Sequence, residues 1–262
     1  MAHQALQQHD LIASAAQTFV EGARLNEGDM VLEIGPGHGA LTAAMLAVGA
    51  RVRAVERDPQ RAAALRREFE VAIEAERLQV LCGDAVDLHP AMELDWRVLS
   101  NPPFQLTSVL LRRWLLEDLP GAWPSRIDLI IQMEAARRLC GSRSYGLSRL
   151  GVLCRLFGKP RLVRRLSREA VEPPSRVDLA IWSLSRRPRG LKPTDLRLVD
   201  RLLEIAFAGP HSLKASLSGL ATSQILRRQA AKHGYDPENH PRQVPVEAWL
   251  DLARHLQKIG RL

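Results

Sequence analysis

The chain has 262 residues, 46% of them hydrophobic and 25% charged, enough to bury a substantial core as one large domain or as a medium domain with a smaller appendage. No uninterrupted apolar run is long enough to span a bilayer, and residues 1–10 lack the basic start and apolar centre of a secretory signal. A cytoplasmic protein without a membrane partner is therefore expected. Cys82, Cys140 and Cys154 are widely spaced in apolar stretches and the eight histidines are scattered, which argues against a metal site and reads the cysteines as buried thiols. The formal charge of +8 points to a polyanionic partner, because Lys and Arg displace counterions from phosphates. Basic residues crowd the second half, at Arg137-Arg138, Arg161, Arg164-Arg165, Arg168, Arg186-Arg187 and Arg189.

In chain order, helical spacing of apolar residues predicts a helix over Leu11–Ala23, broken by Asn26-Glu27-Gly28-Asp29 before a strand at Met30–Ile34. Past a glycine cluster the pattern predicts a helix over Ala40–Val48, a strand at Arg51–Val55 and one long helix over Pro59–Ala75. Strands follow at Leu78–Cys82 and Arg97–Ser100, then a helix over Thr107–Leu116 and a strongly apolar strand at Ile127–Gln132. Strands alternating with helices imply an α/β fold with a mostly parallel sheet covered on both faces. From Gly151 the pattern changes, and Val152–Phe157, Leu162–Leu166 and Val177–Ser183 are expected to close the sheet with an antiparallel hairpin. Pro188–Pro193 reads as a linker. Helical patterns then recur over Leu196–Phe207, Leu213–Leu217, Ser223–His233 and Val246–Ile259, predicting a small helical domain.

Three loops at strand ends could carry chemistry. Glu33-Ile34-Gly35-Pro36-Gly37-His38-Gly39 sits where a strand hands over to a helix, and its glycines let backbone approach a ligand. It reads as a phosphate cradle, a nucleoside site or a tight turn. No Lys-Ser/Thr follows, and the next strand ends in Glu56, an acid able to accept from both ribose hydroxyls of a nucleoside. Asp84 ends the third strand and could accept from an adenine amine or cap a turn. The tetrapeptide Asn101-Pro102-Pro103-Phe104 follows the fourth strand, and its prolines fix the Asn101 side-chain oxygen and the Pro102 carbonyl in a set geometry. Two acceptors so placed can bind both hydrogens of an exocyclic amine and favour a pyramidal nitrogen with its lone pair free to attack. Phe104 offers a ring for base stacking, worth roughly 1–3 kcal/mol; a rigid turn packed by Phe is the plainer reading.

Taken with the rest of the chain, these segments resemble the ribosomal RNA adenine methyltransferase superfamily. It comprises the erythromycin-resistance (Erm) enzymes and the small-subunit rRNA adenine dimethyltransferases. Val31 to Thr42 (VLEIGPGHGALT) looks like the superfamily's first motif, and Asn101 to Ser108 (NPPFQLTS) is similar to N-I/L-P-F/Y-x-I-T/S-T. Gly146 to Val152 (GLSRLGV) and Pro173 to Ala180 (PPSRVDLA) resemble G-x-L-S-V and P-x-P-x-V-D-S-A, and Trp249 to Leu256 (WLDLARHL) extends the likeness to nearly the whole chain. The resemblance implies a Rossmann-like class I methyltransferase domain with a seven-stranded sheet over residues 1–188 and an all-helical RNA-binding domain over 189–262.

It also implies S-adenosyl-L-methionine as cofactor, held by Gln8, Gly35, Gly37, Gly39, Glu56, Asp84, Ala85 and Asn101. The target adenine would meet Asn101, Pro102 and Phe104, with RNA along Arg112, Arg113, Arg137, Arg138, Arg161, Arg164 and Arg165. A sulfonium is already a good leaving group, so no strong base is required, which fits the lack of a Ser/His/Asp or Cys/His arrangement. Catalysis would be orientation, with the adenine drawn out of its stack.

Phe104, the Arg112-Arg113-Trp114 run and Trp249 look more like the Erm branch. The expected partner is thus rRNA or a ribosomal precursor, 23S rather than 16S, with antibiotic resistance as the context and a monomer as the working unit. Three departures stand against the family pattern. Gln7-Gln8-His9-Asp10 replaces Q-N/H-F-L, Pro102 gives a spelling shared with DNA adenine and protein glutamine methyltransferases, and Val171 stands where the family has a Phe before P-x-P. They keep two alternatives open: a methyltransferase of DNA adenine or protein glutamine, and a non-catalytic RNA-binding ribosome assembly factor.

Overall fold

A computed structural model describes residues 9–88, 92, 95–117, 123–141, 146–187, 191–209 and 211–262. The fold is α/β. In chain order its first half runs β1 (Asp10–Leu11), α1 (Ala13–Ala23), β2 (Met30–Ile34), α2 (Ala40–Ala47), β3 (Arg51–Glu56), α3 (Pro59–Glu68), α4 (Glu70–Glu74), β4 (Leu78–Cys82), β5 (Arg97–Ser100), α5 (Thr107–Leu116) and β6 (Arg126–Gln132). The second half runs α6 (Met133–Cys140), α7 (Arg149–Phe157), β7 (Gly158–Leu166), β8 (Val171–Glu172), β9 (Leu179–Arg186), α8 (Pro193–Ala206), α9 (Leu213–Ser216), α10 (Ser223–His233) and α11 (Val246–Lys258).

Seven strands form one sheet in the order β4-β3-β2-β5-β6-β9-β7. The pairs from β4 through β6 are parallel, and β9 joins β6 antiparallel, with Ile130 opposite Ile181. All five residues of β2 are buried, as expected of a strand covered on both faces. The chain leaves β2 toward β3 on one side and reaches β5 on the other, so the sheet has its switch point between β2 and β5. Ligands of open parallel sheets collect at such a point, outside the carboxyl ends of the strands.

Two expected elements take another form. Residues 59–75 break at Phe69 into α3 and α4, because the Phe69 ring turns inward onto the core. It lies so close to the start of α2 that a β-carbon on Gly39 would fall 2.6 Å from it. Val152–Phe157 is helical rather than extended. Ser148 caps α7 by accepting from the Gly151 amide at 3.0 Å, and every residue from Gly151 to Phe157 except Arg155 is buried. A short apolar run fits a buried strand or a buried helix equally, and the cap decides it. Leu162–Leu166 lies within β7, and Val177–Ser183 overlaps β9, which starts at Leu179.

The chain divides into two compact units, residues 1–136 with 161–186, and residues 137–160 with 187–262. The second unit is not a contiguous tail from residue 189: it takes in α7, which packs on α8 and α11 and is tied to α8 by Arg149 bonding Asp200 at 2.8 Å and Glu204 at 3.3 Å. Its core centres on Trp249, fully buried with the Phe207 ring 6.0 Å away. Residues 188–190 of the expected linker lie outside the described set; α8 begins at Pro193, where the Asp195 carboxylate accepts from the Lys192 amide. Among the described residues no helix is long and apolar enough to cross a membrane.

The amino end of the sheet is held by one buried cation. Arg97 donates to the Ala23 and Arg24 carbonyls at the end of α1 and to Asp29, at 2.5, 3.1 and 3.0 Å, with Asp128 3.6 Å away. It satisfies the last carbonyls of a helix and complements its dipole. Burial raises the Asp128 pKa, and Arg126, Ser183 and Arg97 oppose the rise. Arg97→Met is expected to cost about 3 kcal/mol of unfolding free energy, since removing one member strands the rest. Urea midpoints check it, and a loss below ~1 kcal/mol would contradict the assigned role.

Candidate active site

The carboxyl ends of β2, β3, β4 and β5 are stitched to one another beyond the regular ladder. The Gly35 amide donates to Val55 and the Gly83 amide to Glu56, both at 2.9 Å. The buried Ser100 hydroxyl accepts from the Ile34 amide at 3.3 Å and donates to the Ile34 carbonyl at 2.8 Å. Residues 35–39, Glu56, Asp84 and Asn101 are thereby brought to one edge of the sheet. Gly35 and Gly37 hold φ of 67° and 58°, which side chains rarely tolerate, so the bend presents bare backbone.

Glu56 is 3% exposed. Its Oε1 accepts from the Asp58 amide at 2.9 Å, while its buried Oε2 has no hydrogen-bond partner. A buried carboxylate oxygen left unmatched is costly, and hydroxyl donors from a ribose would repay it. This is the fit that a nucleoside cofactor requires. Asp84 divides its carboxylate: Oδ1 caps the turn at the Val86 amide, 2.9 Å away, and Oδ2 lies 3.7 Å from Arg57.

Arg113 corrects an expectation. Rather than meeting RNA it is 4% exposed, and it donates to the Ala85 carbonyl at 2.5 Å and to the Val86 carbonyl. It braces the loop that carries Asp84 and Ala85 from the inside. Arg112 is half-buried, whereas Arg137, Arg138, Arg161, Arg164 and Arg165 are exposed. Arg165 shares Asp178 with Arg168, at 2.9 and 3.1 Å. Cys82 is exposed, not buried, and Cys140 is partly so; only Cys154 of the three is buried. Val171 is 1% exposed and pairs with Leu11, so its side chain belongs to the core.

The proline turn is closed by the start of the described chain. Asn101 Nδ2 donates to the His9 carbonyl at 2.8 Å, which directs Oδ1 away from that bond. Among the described residues no hydrogen bond reaches the Pro102 carbonyl. Phe104 opens a short 3-10 turn that leads into α5, and the His9 ring stacks near it, centroids 5.9 Å apart and planes 25° apart. Asp10 lies 2.8 Å from His38 Nδ1 and 3.5 Å from Arg61. The cavity at the glycine bend measures about 10 Å³, with His9, Asp10, Leu11, Glu33, Gly35 and Asn101 in its lining. The segment 9–11 thus forms one wall of it. Gln8 lies outside the described residues.

Glu33 joins the site without having been singled out by the sequence reading. It is 1% exposed and accepts from Thr42 Oγ1 at 2.6 Å. Burial pushes its pKa up to about 8; the Thr42 bond opposes this and the nearby Glu56 adds to it. An acid inside the continuous apolar run of β2 was the available signal. A carboxyl raised on folding adds stability while protonated in both states, and loses it as pH climbs from 4.5 to about 8. Glu33→Gln should therefore match wild type near pH 4.5 and gain on it by up to ~1.4 kcal/mol per pH step until about pH 8. Unfolding free energies across that range check it, and a pH-independent gap would refute it.

Comparison with known proteins identifies the family. Residues 7–258 match the family model described as ribosomal RNA adenine dimethylase. The chain is 38% identical over 239 residues to "Ribosomal RNA small subunit methyltransferase A" of Jannaschia sp. (strain CCS1), covering 87% of this chain and 80% of that protein. It is 38% identical over 242 residues to the protein of the same name from Ruegeria pomeroyi, covering 89% and 84%. Among solved structures, the 23S rRNA methyltransferase ErmE superposes with a TM-score of 0.75 at 25% identity, over 95% of this chain and 99% of that one. A dimethyladenosine transferase from Plasmodium falciparum shares the fold at the same TM-score and 21% identity, over 97% and 99%. The chain belongs to the ribosomal RNA adenine dimethylase family and is an S-adenosylmethionine-dependent rRNA adenine methyltransferase.

Proposed function

We propose that this enzyme methylates the exocyclic amine of an adenine in 16S rRNA. The small-subunit target follows the relatives at 34–38% identity, which carry that name. Of the residues that look like the Erm branch, Trp114 and Trp249 are buried in the core and Arg113 braces the Ala85 loop. They give no reason to prefer 23S rRNA, and the antibiotic-resistance context rested on the same residues. The DNA, protein-glutamine and non-catalytic alternatives draw no support from the family match.

The observation that carries the reading is the Asn101 amide. With Nδ2 committed to the His9 carbonyl, Oδ1 is the atom left to receive an amine hydrogen, beside a Pro102 carbonyl free to receive the other. Two acceptors on one amine favour the pyramidal nitrogen that attacks. When bound, S-adenosylmethionine supplies the electrophilic methyl group. In this proposal the backbone at Gly35, Gly37 and Gly39 approaches the cofactor, and Glu56 Oε2 accepts from its ribose. Asp84 and Ala85 border its base, and Phe104 stacks on the target adenine. Catalysis is placement and dipole matching rather than proton abstraction. Exposed Arg137, Arg138, Arg161 and Arg164 meet phosphates.

Mass spectrometry of 16S and 23S rRNA, read nucleotide by nucleotide with and without the protein, is expected to show new methyladenine in 16S; methylation confined to 23S would overturn the target. Asn101→Ala should lower transfer by on the order of 100-fold at unchanged melting temperature. Glu56→Ala should weaken cofactor binding by about 10- to 100-fold in calorimetry, and unchanged affinity would remove Glu56 from the site. Replacing Arg161 and Arg164 together should weaken RNA binding and lower its log-log salt slope by about 1–2. An unaltered slope would exclude that edge.

A further inference from the structure

His9 stands at the meeting of two halves of the site. Its carbonyl orients Asn101, it lines the cavity at the glycine bend, and its ring faces Phe104 in a nearly parallel stack with centroids 5.9 Å apart. The ring is held from a second direction by Nδ1, 2.7 Å from the Pro173 carbonyl. The next two residues fix the segment, through the β1–β8 pairing of Asp10 with Glu172 and Leu11 with Val171 and through the Asp10 contacts with His38 and Arg61. A planar base sandwiched between two rings needs about two carbon contact distances, ~7 Å, between them. The centroid separation of 5.9 Å falls short of that, so the two rings, near parallel and beside the residue proposed to receive the amine, have to part for a base to enter.

We propose that His9 is the second ring of a base clamp. An unstacked purine enters between the imidazole and Phe104, one face against each, with its amine turned toward Asn101. The inference rests on the adenine-methylation reading above and adds the group that holds the far face of the base. In the substrate-free protein the two rings cover each other, so Phe104 is not left as an open apolar face. Opening by an ångström or more admits the base, and the backbone bond from Asn101 to His9 is independent of the side chain that moves.

The test uses the full-length enzyme with His9→Ala, His9→Phe and His9→Leu, all of which keep the His9 carbonyl. Steady-state methylation of small-subunit rRNA should show KM for RNA raised about tenfold in His9→Ala and His9→Leu, the loss of one base stack. The kcat should stay within about threefold, and KM should return to near wild type in His9→Phe. RNA carrying 2-aminopurine at the methylated adenine has no amine at the reacting position and reads base capture without chemistry. Its fluorescence should be quenched by wild type and His9→Phe and less so by His9→Ala. An unchanged KM in His9→Ala, rescue by Leu as complete as by Phe, or a fall confined to kcat would overturn the clamp while leaving adenine methylation standing. A wild-type enzyme that transfers no methyl to rRNA would overturn both.

Discussion

The site depends on one buried hydroxyl. Ser100 ends β5 and makes two hydrogen bonds to the peptide unit of Ile34 at the end of β2, across the place where the sheet reverses its strand order. The regular β2–β5 pairing is recorded for Val31 with Arg97 and Leu32 with Val98, so the side chain continues the connection where the ladder stops. One step beyond Ile34 is the glycine bend, and one step beyond Ser100 is Asn101. The sides proposed for cofactor and target base are therefore joined through two residues in a fully packed interior, where small displacements are resisted. Orientation can carry catalysis only if such a distance is held.

Around that joint the protein keeps polar groups in states that a ligand would improve. Glu56 has an unmatched oxygen, burial pushes the Glu33 carboxyl up to about 8 against its single Thr42 bond, and among the described residues no hydrogen bond reaches the Pro102 carbonyl. Natural proteins spend stability at functional sites and recover it elsewhere. Here the recovery lies at the opposite end of the same sheet, where Arg97 satisfies the terminal carbonyls of α1 and links Asp29 with Asp128. Arg113 does similar work nearer the site, holding the Ala85 loop from beneath.

Much of the fold was legible because parallel strands covered on both faces leave continuous apolar runs, as at Met30–Ile34 and Ile127–Gln132, separated by helical spacing. The residues proposed for the cofactor and the target base stood out in the sequence because they lie at the carboxyl ends of β2, β3, β4 and β5, in loops of unusual composition. Where the reading failed, non-local packing made the decision. Arg113 looked like one more surface cation until its partners turned out to be carbonyls nearly thirty residues earlier. Cys82 sits in an apolar stretch, yet its strand is the sheet's outer edge, where alternate positions are open. Val152–Phe157 has no periodicity to distinguish helix from strand, and its partners in α8 and α11 explain why every residue but Arg155 is buried. His9 could be related to Phe104 only across ninety-four intervening residues.

That same helix bears on how the polypeptide matures. The second unit is assembled from pieces that leave the ribosome at different times: α7 is complete at Phe157, whereas α11, against which it packs, ends at Lys258. At ordinary elongation rates roughly 5–20 s separate the two, during which the side of α7 that meets α11 has no native cover. Vectorial synthesis thus leaves this enzyme a window for chaperone engagement or misassembly that a contiguous C-terminal domain would not have.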